Sequence, residues 1–170
     1  MLPTALIFIS VILSYSGRQE CANGWKAPEI HGIRLGMTVK QVKSRLPFLD
    51  IPPADKYDVR ESFLYVTTNQ TQRKRLPRVF EIEMWFLKNR LVRYNVAYYG
   101  SKQPESVARF VDQVLRSLKL SEEMKVSNRR YECGNISISV GEENGRKVSL
   151  RDLRAEPILV KRVEESYRKN

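Results

Sequence analysis

The residues that could do chemistry in this 170-residue chain are few and far apart. His31 is the only histidine, which excludes histidine metal clusters and most catalytic triads. A lone histidine beside Gly32 is typical of a turn or a packing residue. Glu81 and Glu83 share a face of a predicted strand, but nothing beside them indicates the burial that raises a carboxyl pKa. The sequence therefore predicts no catalytic residue, no cofactor and no metal site. An enzyme that uses carboxylates remains as the minor alternative.

The two cysteines, Cys21 and Cys133, are not in a Cys-x-x-Cys spacing, so thiol redox catalysis has no support. In an oxidising compartment they would favour one disulfide. Closing a loop of about 110 residues would contribute roughly 4–5 kcal/mol in the chain-entropy model. Two unpaired thiols are the first alternative. A lipid-modified Cys21 is the second, although Arg18-Gln19-Glu20 lacks the small and apolar residues typical of lipoprotein processing.

Residues 1–16 have no charged side chain, and the stretch from Ala5 to Leu13 is nearly all apolar. Ser14 and Ser16 then supply the small-x-small pattern of a secretory cleavage site. The apolar run is short for a bilayer crossing, so we predict a cleaved signal peptide and a periplasmic or extracellular protein. An uncleaved N-terminal membrane anchor is the alternative. Residues 17–29 read as an exposed arm.

The formal charge is +11, which raises the question of anionic partners. Arg73-Lys74-Arg75 is the densest basic cluster, but it has no interleaved aromatic residues, so a solvated turn is favoured over a specific nucleic-acid site. Binding of anionic lipid or a polyanion through Arg73, Lys74, Arg75, Arg129 and Arg130 is our alternative function.

The first predicted helix, over 38–46, has a strong start signal. Thr38 suits the N-cap, and Gln41 completes a capping box. Pro47 marks the end of the helix. A short strand is then expected over 63–68.

The clearest β signal is a pair of strands joined by the turn Lys88-Asn89-Arg90. Alternation places one set of side chains of the first strand in the core: Phe80, Ile82, Met84 and Phe86. On the wetter face, we expect Glu81 and Glu83 to lie across from Arg93 in the return strand over 92–99.

A second amphipathic helix is predicted over 104–118, where apolar residues recur at helical spacing. Strands are expected over 129–133, 136–140 and 148–150. Each half of the chain thus has a helix followed by three strands. We predict an α+β fold: an antiparallel sheet with two helices on one face, in a tandem αβββ arrangement. The single domain covers 30–154, with halves 30–100 and 101–154. The tail over 155–170 is expected either to form a helix or to fray.

The run Gly36-Met37-Thr38 followed by Val42 and Leu46 resembles the start of SmpA/OmlA (BamE-like) lipoproteins and of β-lactamase-inhibitor-protein-like domains. The chain as a whole is similar to uncharacterised secreted bacterial proteins. The inhibitor family also has a tandem helix-plus-strands order. This resemblance implies a bacterial envelope setting and no activity, and no binding residue is carried across from it.

The wetter sheet face carries Trp85 and Tyr99 among polar residues, a composition common at protein interfaces. We therefore expect a non-enzymatic binding or scaffold domain that docks another envelope protein through this face. The sequence leaves the oligomeric state open.

Overall fold

The computed structural model describes residues 28–51, 63–67, 75–76, 78–100, 104–141 and 146–168. These residues form an α+β fold, as predicted. The elements in chain order are α1 (Val39–Arg45), β1 (Phe63–Thr67), β2 (Val79–Leu87), β3 (Arg90–Tyr98), α2 (Pro104–Leu118), a 3-10 turn (Glu122–Met124), β4 (Lys125–Ser127), β5 (Arg130–Cys133), β6 (Ile136–Val140), β7 (Lys147–Asp152) and α3 (Glu156–Arg168).

The strands form one antiparallel sheet in the order β1-β2-β3-β7-β6-β5-β4. Each half of the chain contributes one meander, and the last strand of each, β3 and β7, pairs with the other at the junction. A helix precedes the strands in both halves, as predicted. The second half has one strand more than expected, because the three residues of β4 are all exposed and show no alternation.

The start of α1 follows the predicted capping box. The Gln41 amide N–H donates to Thr38 Oγ1 at 3.2 Å, and the Thr38 amide N–H donates to Gln41 Oε1 at 2.9 Å. Both bonds satisfy amide groups that an uncapped first turn would leave without partners.

One continuous core joins α1 and α2 to the same side of the sheet. It includes Val42 from α1, Val111 from α2, and Met84, Tyr94 and Leu150 from the strands. Apart from two register shifts in the pairing of β2 with β3, the strand residues alternate between the two faces, and alternate side chains point into this core.

The tail forms the helix α3, which packs against the opposite side of the sheet. Its Leu159, 1% exposed, lies in a second apolar cluster with Leu87 and Val92, and partly buried Trp85 packs against that cluster. Pro157 lies in the first turn of α3, where its missing N–H has no helical partner to lose. The tail is therefore a docked helix with a narrow apolar stripe.

The expected pairing of Glu81 and Glu83 with Arg93 is wrong. In the observed register Arg93 lies opposite Trp85, and Glu83 lies opposite Asn95. The Arg93 guanidinium instead pairs with Glu156 at the start of α3, and its Cζ lies 5.5 Å from the centre of the Trp85 ring. Arg93 thus ties α3 to the sheet.

Candidate binding cleft on the polar sheet face

The side of the sheet that carries α3 is polar over most of its width, and we call it the polar face. One row of residues runs across β2, β3, β7, β6 and β5: Glu83, Asn95, Ser149, Ser139 and Arg130. The next row contains Trp85 and Arg93 and lies beside α3. On the other side of the Glu83 row, Glu81, Ala97 and Lys147 form the end of the face away from α3.

This end of the polar face contains a cleft of about 390 Å³. Its floor includes Glu83 and Asn95, and Arg146 and Lys147 line another side. Phe80 and Tyr99 also line it, with exposed fractions of 44% and 56%. Their rings meet edge to face with centroids 5.4 Å apart. Such a pair holds a rigid apolar surface toward solvent at little cost in conformational entropy.

Asn95 is the unusual residue of the floor. It is 7% exposed, and its Nδ2 donates to Glu83 Oε2 at 3.0 Å. Its Oδ1 is buried and has no hydrogen-bond partner. A buried acceptor left without a donor costs about 1–3 kcal/mol. The same Glu83 Oε2 lies 3.7 Å from Lys147 Nζ, so the carboxylate has a counter-charge besides the amide.

Arg146 fixes the rim of the cleft. Its Nη1 donates to the Tyr99 carbonyl oxygen at 3.4 Å, and its Nη2 donates to Ser106 Oγ on α2. Gly100 has a φ of 152°, and a Cβ at this position would overlap the Arg146 guanidinium. The positive φ disfavours any other residue at this position, and the absence of a Cβ leaves room for the Arg146 guanidinium beside Tyr99.

The aromatic residues of the predicted interaction surface lie in different environments. Tyr99 lines the cleft, whereas Trp85 is partly buried beneath α3. Phe80 was expected in the core, and this prediction is wrong. The strand register shifts between Val79 and Glu81, so Val79 is fully buried in place of Phe80.

The basic residues of the predicted surface are also separate from the cleft. Arg73 and Lys74 lie outside the described residues, and Arg75 is exposed. Arg129 Nη1 donates to the Gly141 carbonyl oxygen at 2.6 Å. Arg130 Nε donates to Ser137 Oγ at 3.2 Å, and its Nη2 also pairs with Glu132. The last two arginines therefore have structural contacts at the far side of the sheet.

Cys133 ends β5 and is 2% exposed. Its predicted partner, Cys21, lies outside the described residues, as does the predicted signal peptide. The Cys21–Cys133 disulfide stays a prediction. None of the helices in the described ranges has the length and apolar character that a bilayer crossing needs.

His31 is a turn residue with a φ of 52°, the left-handed region in which histidine is more common than most residues. Its Nε2 lies 3.3 Å from the Tyr98 hydroxyl. Burial lowers the pKa of His31 and raises the pKa of Tyr98 to about 12, so both groups are held in their neutral forms. Within the described residues, no three His, Cys, Asp or Glu side chains are grouped to hold a metal ion.

Sequence reasoning missed Asn95, Phe80 and Arg146. A polar residue that alternates with core residues normally lies on an exposed face. Asn95 follows this pattern but is buried, and only the pairing of β3 with a strand on each side shows this. For Arg146 the sequence gives a turn position and no sign of its contact with Gly100.

Comparison with protein-family models, curated proteins and solved structures finds no match for this chain. The resemblance to envelope domains therefore stays a prediction from the Gly36-Met37-Thr38 start and the order of elements.

Proposed function

We propose that this protein is a non-enzymatic binding domain that receives a segment of another protein in the cleft of the polar face. The observation that carries the proposal is that Asn95, whose buried Oδ1 has no hydrogen-bond partner, lines a cleft bordered by exposed aromatic rings. A backbone or side-chain N–H of the bound segment would supply the missing donor. Phe80 and Tyr99 would bury apolar side chains next to it.

The chemistry of the cleft favours a peptide over a purely ionic ligand. Its charged lining residues are balanced: Glu81 and Glu83 against Arg146 and Lys147. Arg146 already donates a hydrogen bond to the Tyr99 carbonyl oxygen, and Lys147 lies close to Glu83. The groups that remain for a ligand are the Asn95 acceptor and the Phe80 and Tyr99 rings, and a segment with N–H donors and apolar side chains matches them. Protein interfaces commonly combine aromatic anchors with a few directed hydrogen bonds.

Site-specific photo-crosslinking tests the proposal. A photoreactive phenylalanine analogue replaces Tyr99 and, as the control, Tyr167 on α3, which is 77% exposed. We expect one defined protein adduct from position 99 and none from position 167. The affinity of that partner should fall about tenfold or more in Tyr99→Ser, as for an aromatic hot spot. Equal adducts at both positions, or none at 99, would exclude the cleft as the docking site.

The proposal places the protein outside the cytoplasm. It includes removal of residues 1–16 and a disulfide between Cys21 and Cys133 that ties the arm to β5. Mass spectrometry of the mature, unreduced protein should give a chain that begins at Gly17 and lacks two hydrogens relative to its reduced form. A chain that retains residues 1–16, or one with two free thiols, would contradict these parts of the proposal.

The alternative is binding of anionic lipid or a polyanion through Arg73, Lys74, Arg75, Arg129 and Arg130. Salt separates the two functions, because screening weakens contacts between exposed charges much more than aromatic burial. The proposal predicts that capture of the partner at Tyr99 persists at about 0.5 M salt, where the Debye length is well under 10 Å. Loss of capture at that salt concentration would favour the alternative.

A further inference from the structure

A second surface pocket, separate from the cleft, has the composition of an anion site. It has a volume of about 480 Å³ and lies where the turn before α1, the helix α1 and the start of β3 meet. Three of its lining residues are arginines, Arg34, Arg45 and Arg90, and the side-chain amide of Gln41 adds a neutral donor. Ser44 also lines the pocket, but its hydroxyl donates to the Gln41 carbonyl oxygen at 2.8 Å. None of the described residues that line it is acidic.

The floor of this arginine pocket is held by backbone hydrogen bonds to β3. The Gly36 amide N–H donates to the Leu91 carbonyl oxygen at 2.8 Å, and the Leu91 amide N–H donates to the Met37 carbonyl oxygen at 2.8 Å. Arg90 Nη1 donates to the Gly36 carbonyl oxygen at 3.1 Å. This bond orients the exposed Arg90 side chain across the floor, and a side chain that is already oriented has less freedom to lose on binding.

The other two arginines are exposed, and neither forms an ion pair with another described residue. Glu29 is near the rim: its Oε1 and Arg45 Cδ lie 3.9 Å and 4.0 Å from the place that a Cβ at Gly32 would take. It does not pair with Arg45. The helix α1 has no acidic residue in its first turn, and Lys40 and Lys43 add to the local positive charge.

We propose that the arginine pocket binds a phosphate-type oxyanion. Guanidinium groups bind oxyanions through paired N–H···O bonds, and a ligand with three or more terminal oxygens can engage several arginines at once. A carboxylate has only two oxygens and one charge, so it would leave part of the pocket unneutralised. A phosphate monoester or inorganic phosphate, with about two negative charges and at least three terminal oxygens, neutralises more of the pocket and accepts from more of its donors than a carboxylate does.

Titration of the full chain with inorganic phosphate tests this proposal, with binding monitored by the NMR chemical shifts of the backbone amides. At constant ionic strength, we expect saturable shifts at Gly36 and Gln41. Affinity should fall about tenfold in Arg34→Gln and in Arg45→Gln, as for the loss of a charged hydrogen bond. The control is Arg116→Gln, which removes an exposed charge on α2 and should leave affinity unchanged. Equal loss in the control, or the same shifts with chloride, would reduce the effect to general screening and overturn the proposal.

The source of the phosphate is tested with lipid vesicles. Vesicles that contain phosphatidic acid present a monoester phosphate, and phosphatidylcholine vesicles serve as the control. If the chain is retained on phosphatidic acid vesicles and the double variant Arg34→Gln/Arg45→Gln is not, the ligand of the site is a lipid headgroup. Saturable binding of inorganic phosphate without vesicle retention would assign it to a soluble phosphate. If the chain binds neither inorganic phosphate nor the phosphatidic acid vesicles, the site is refuted. The double variant should keep the circular dichroism of the native chain, since both side chains are exposed.

Discussion

Replacement of Asn95 by leucine tests the premise that the floor of the cleft is built for a ligand. Asn95 lies on the interior strand β3, between Glu83 on β2 and Ser149 on β7. Leucine has nearly the same shape but neither the unpartnered Oδ1 nor the Nδ2 donor. The variant therefore removes one unfavourable and one favourable feature from the same position.

The expected change in stability is the sum of these two effects. Removal of a buried acceptor without a donor stabilises by about 1–3 kcal/mol, and loss of a hydrogen bond to a carboxylate costs about 1.5–3 kcal/mol. The Glu83 side chain is 27% exposed and has Lys147 Nζ at 3.7 Å, so the cost falls at the low end. Leucine is also more favourable in a strand than asparagine. We expect a change within about 1 kcal/mol of zero.

Urea unfolding followed by far-ultraviolet circular dichroism measures this change. The contrasting control is Leu150→Ala, a fully buried core truncation, which should cost about 2–5 kcal/mol. Asn95→Leu should keep its stability and lose affinity for the partner captured at Tyr99. A cost for Asn95→Leu as large as that of Leu150→Ala would mean that the amide is fully satisfied in the native state. That result would refute the reasoning from an unpartnered acceptor.

Three further predictions concern packing and pH. Leu159→Ala should lower the free energy of unfolding by about 2–3 kcal/mol. Its exposed neighbour Ile158, mutated to alanine, should change that free energy by less than about 0.5 kcal/mol; equal effects would contradict the docking of α3. Gly141→Ala would place a Cβ 2.7 Å from Val111 Cγ2 at a φ of 70°, with an expected cost of about 1–3 kcal/mol. In the double variant with Val111→Ala, part of the stability lost through Gly141→Ala should be recovered. If the two changes are purely additive, the cost of Gly141→Ala comes from backbone strain alone. Burial lowers the pKa of His31 below 6.5, so the unfolded chain takes up the proton first and stability falls as the pH drops through that value. The urea concentration at the unfolding midpoint should decrease when the pH is lowered from about 7.5 to about 5.5, and it should decrease less in His31→Asn. An identical decrease in both proteins would contradict this assignment.

The sequence predicted those parts of the fold that depend on short-range physics. The capping box of Thr38 and Gln41 needs only three residues of spacing, and it is present as expected. The apolar stripe of 104–118 and the alternation of the strand pair likewise reflect the periods of a helix and a strand. These signals are sufficient for the α+β class and for the order of the main elements.

The cleft and the arginine pocket could not be predicted in the same way, because they depend on register and on contacts between distant segments. A register shift after Val79 turns Phe80 outward, and nothing local in the sequence marks that shift. The arginine pocket joins Arg34, Arg45 and Arg90, which belong to a turn, a helix and a strand. Each alone is typical of a solvated surface, and only the pairing of Gly36 and Met37 with Leu91 brings them together.

The cleft is a property of the junction between the two meanders. Its floor residues, Glu83 and Asn95, come from the first half of the chain, and Lys147 and Arg146 come from the second. The pairing of β3 with β7 holds these groups side by side, and both halves share one core. Neither half would contain the site if it were separated from the other. The tandem order therefore sets the architecture of the cleft: the innermost strands of the two halves pair, and their contact creates a polar surface that neither half has alone.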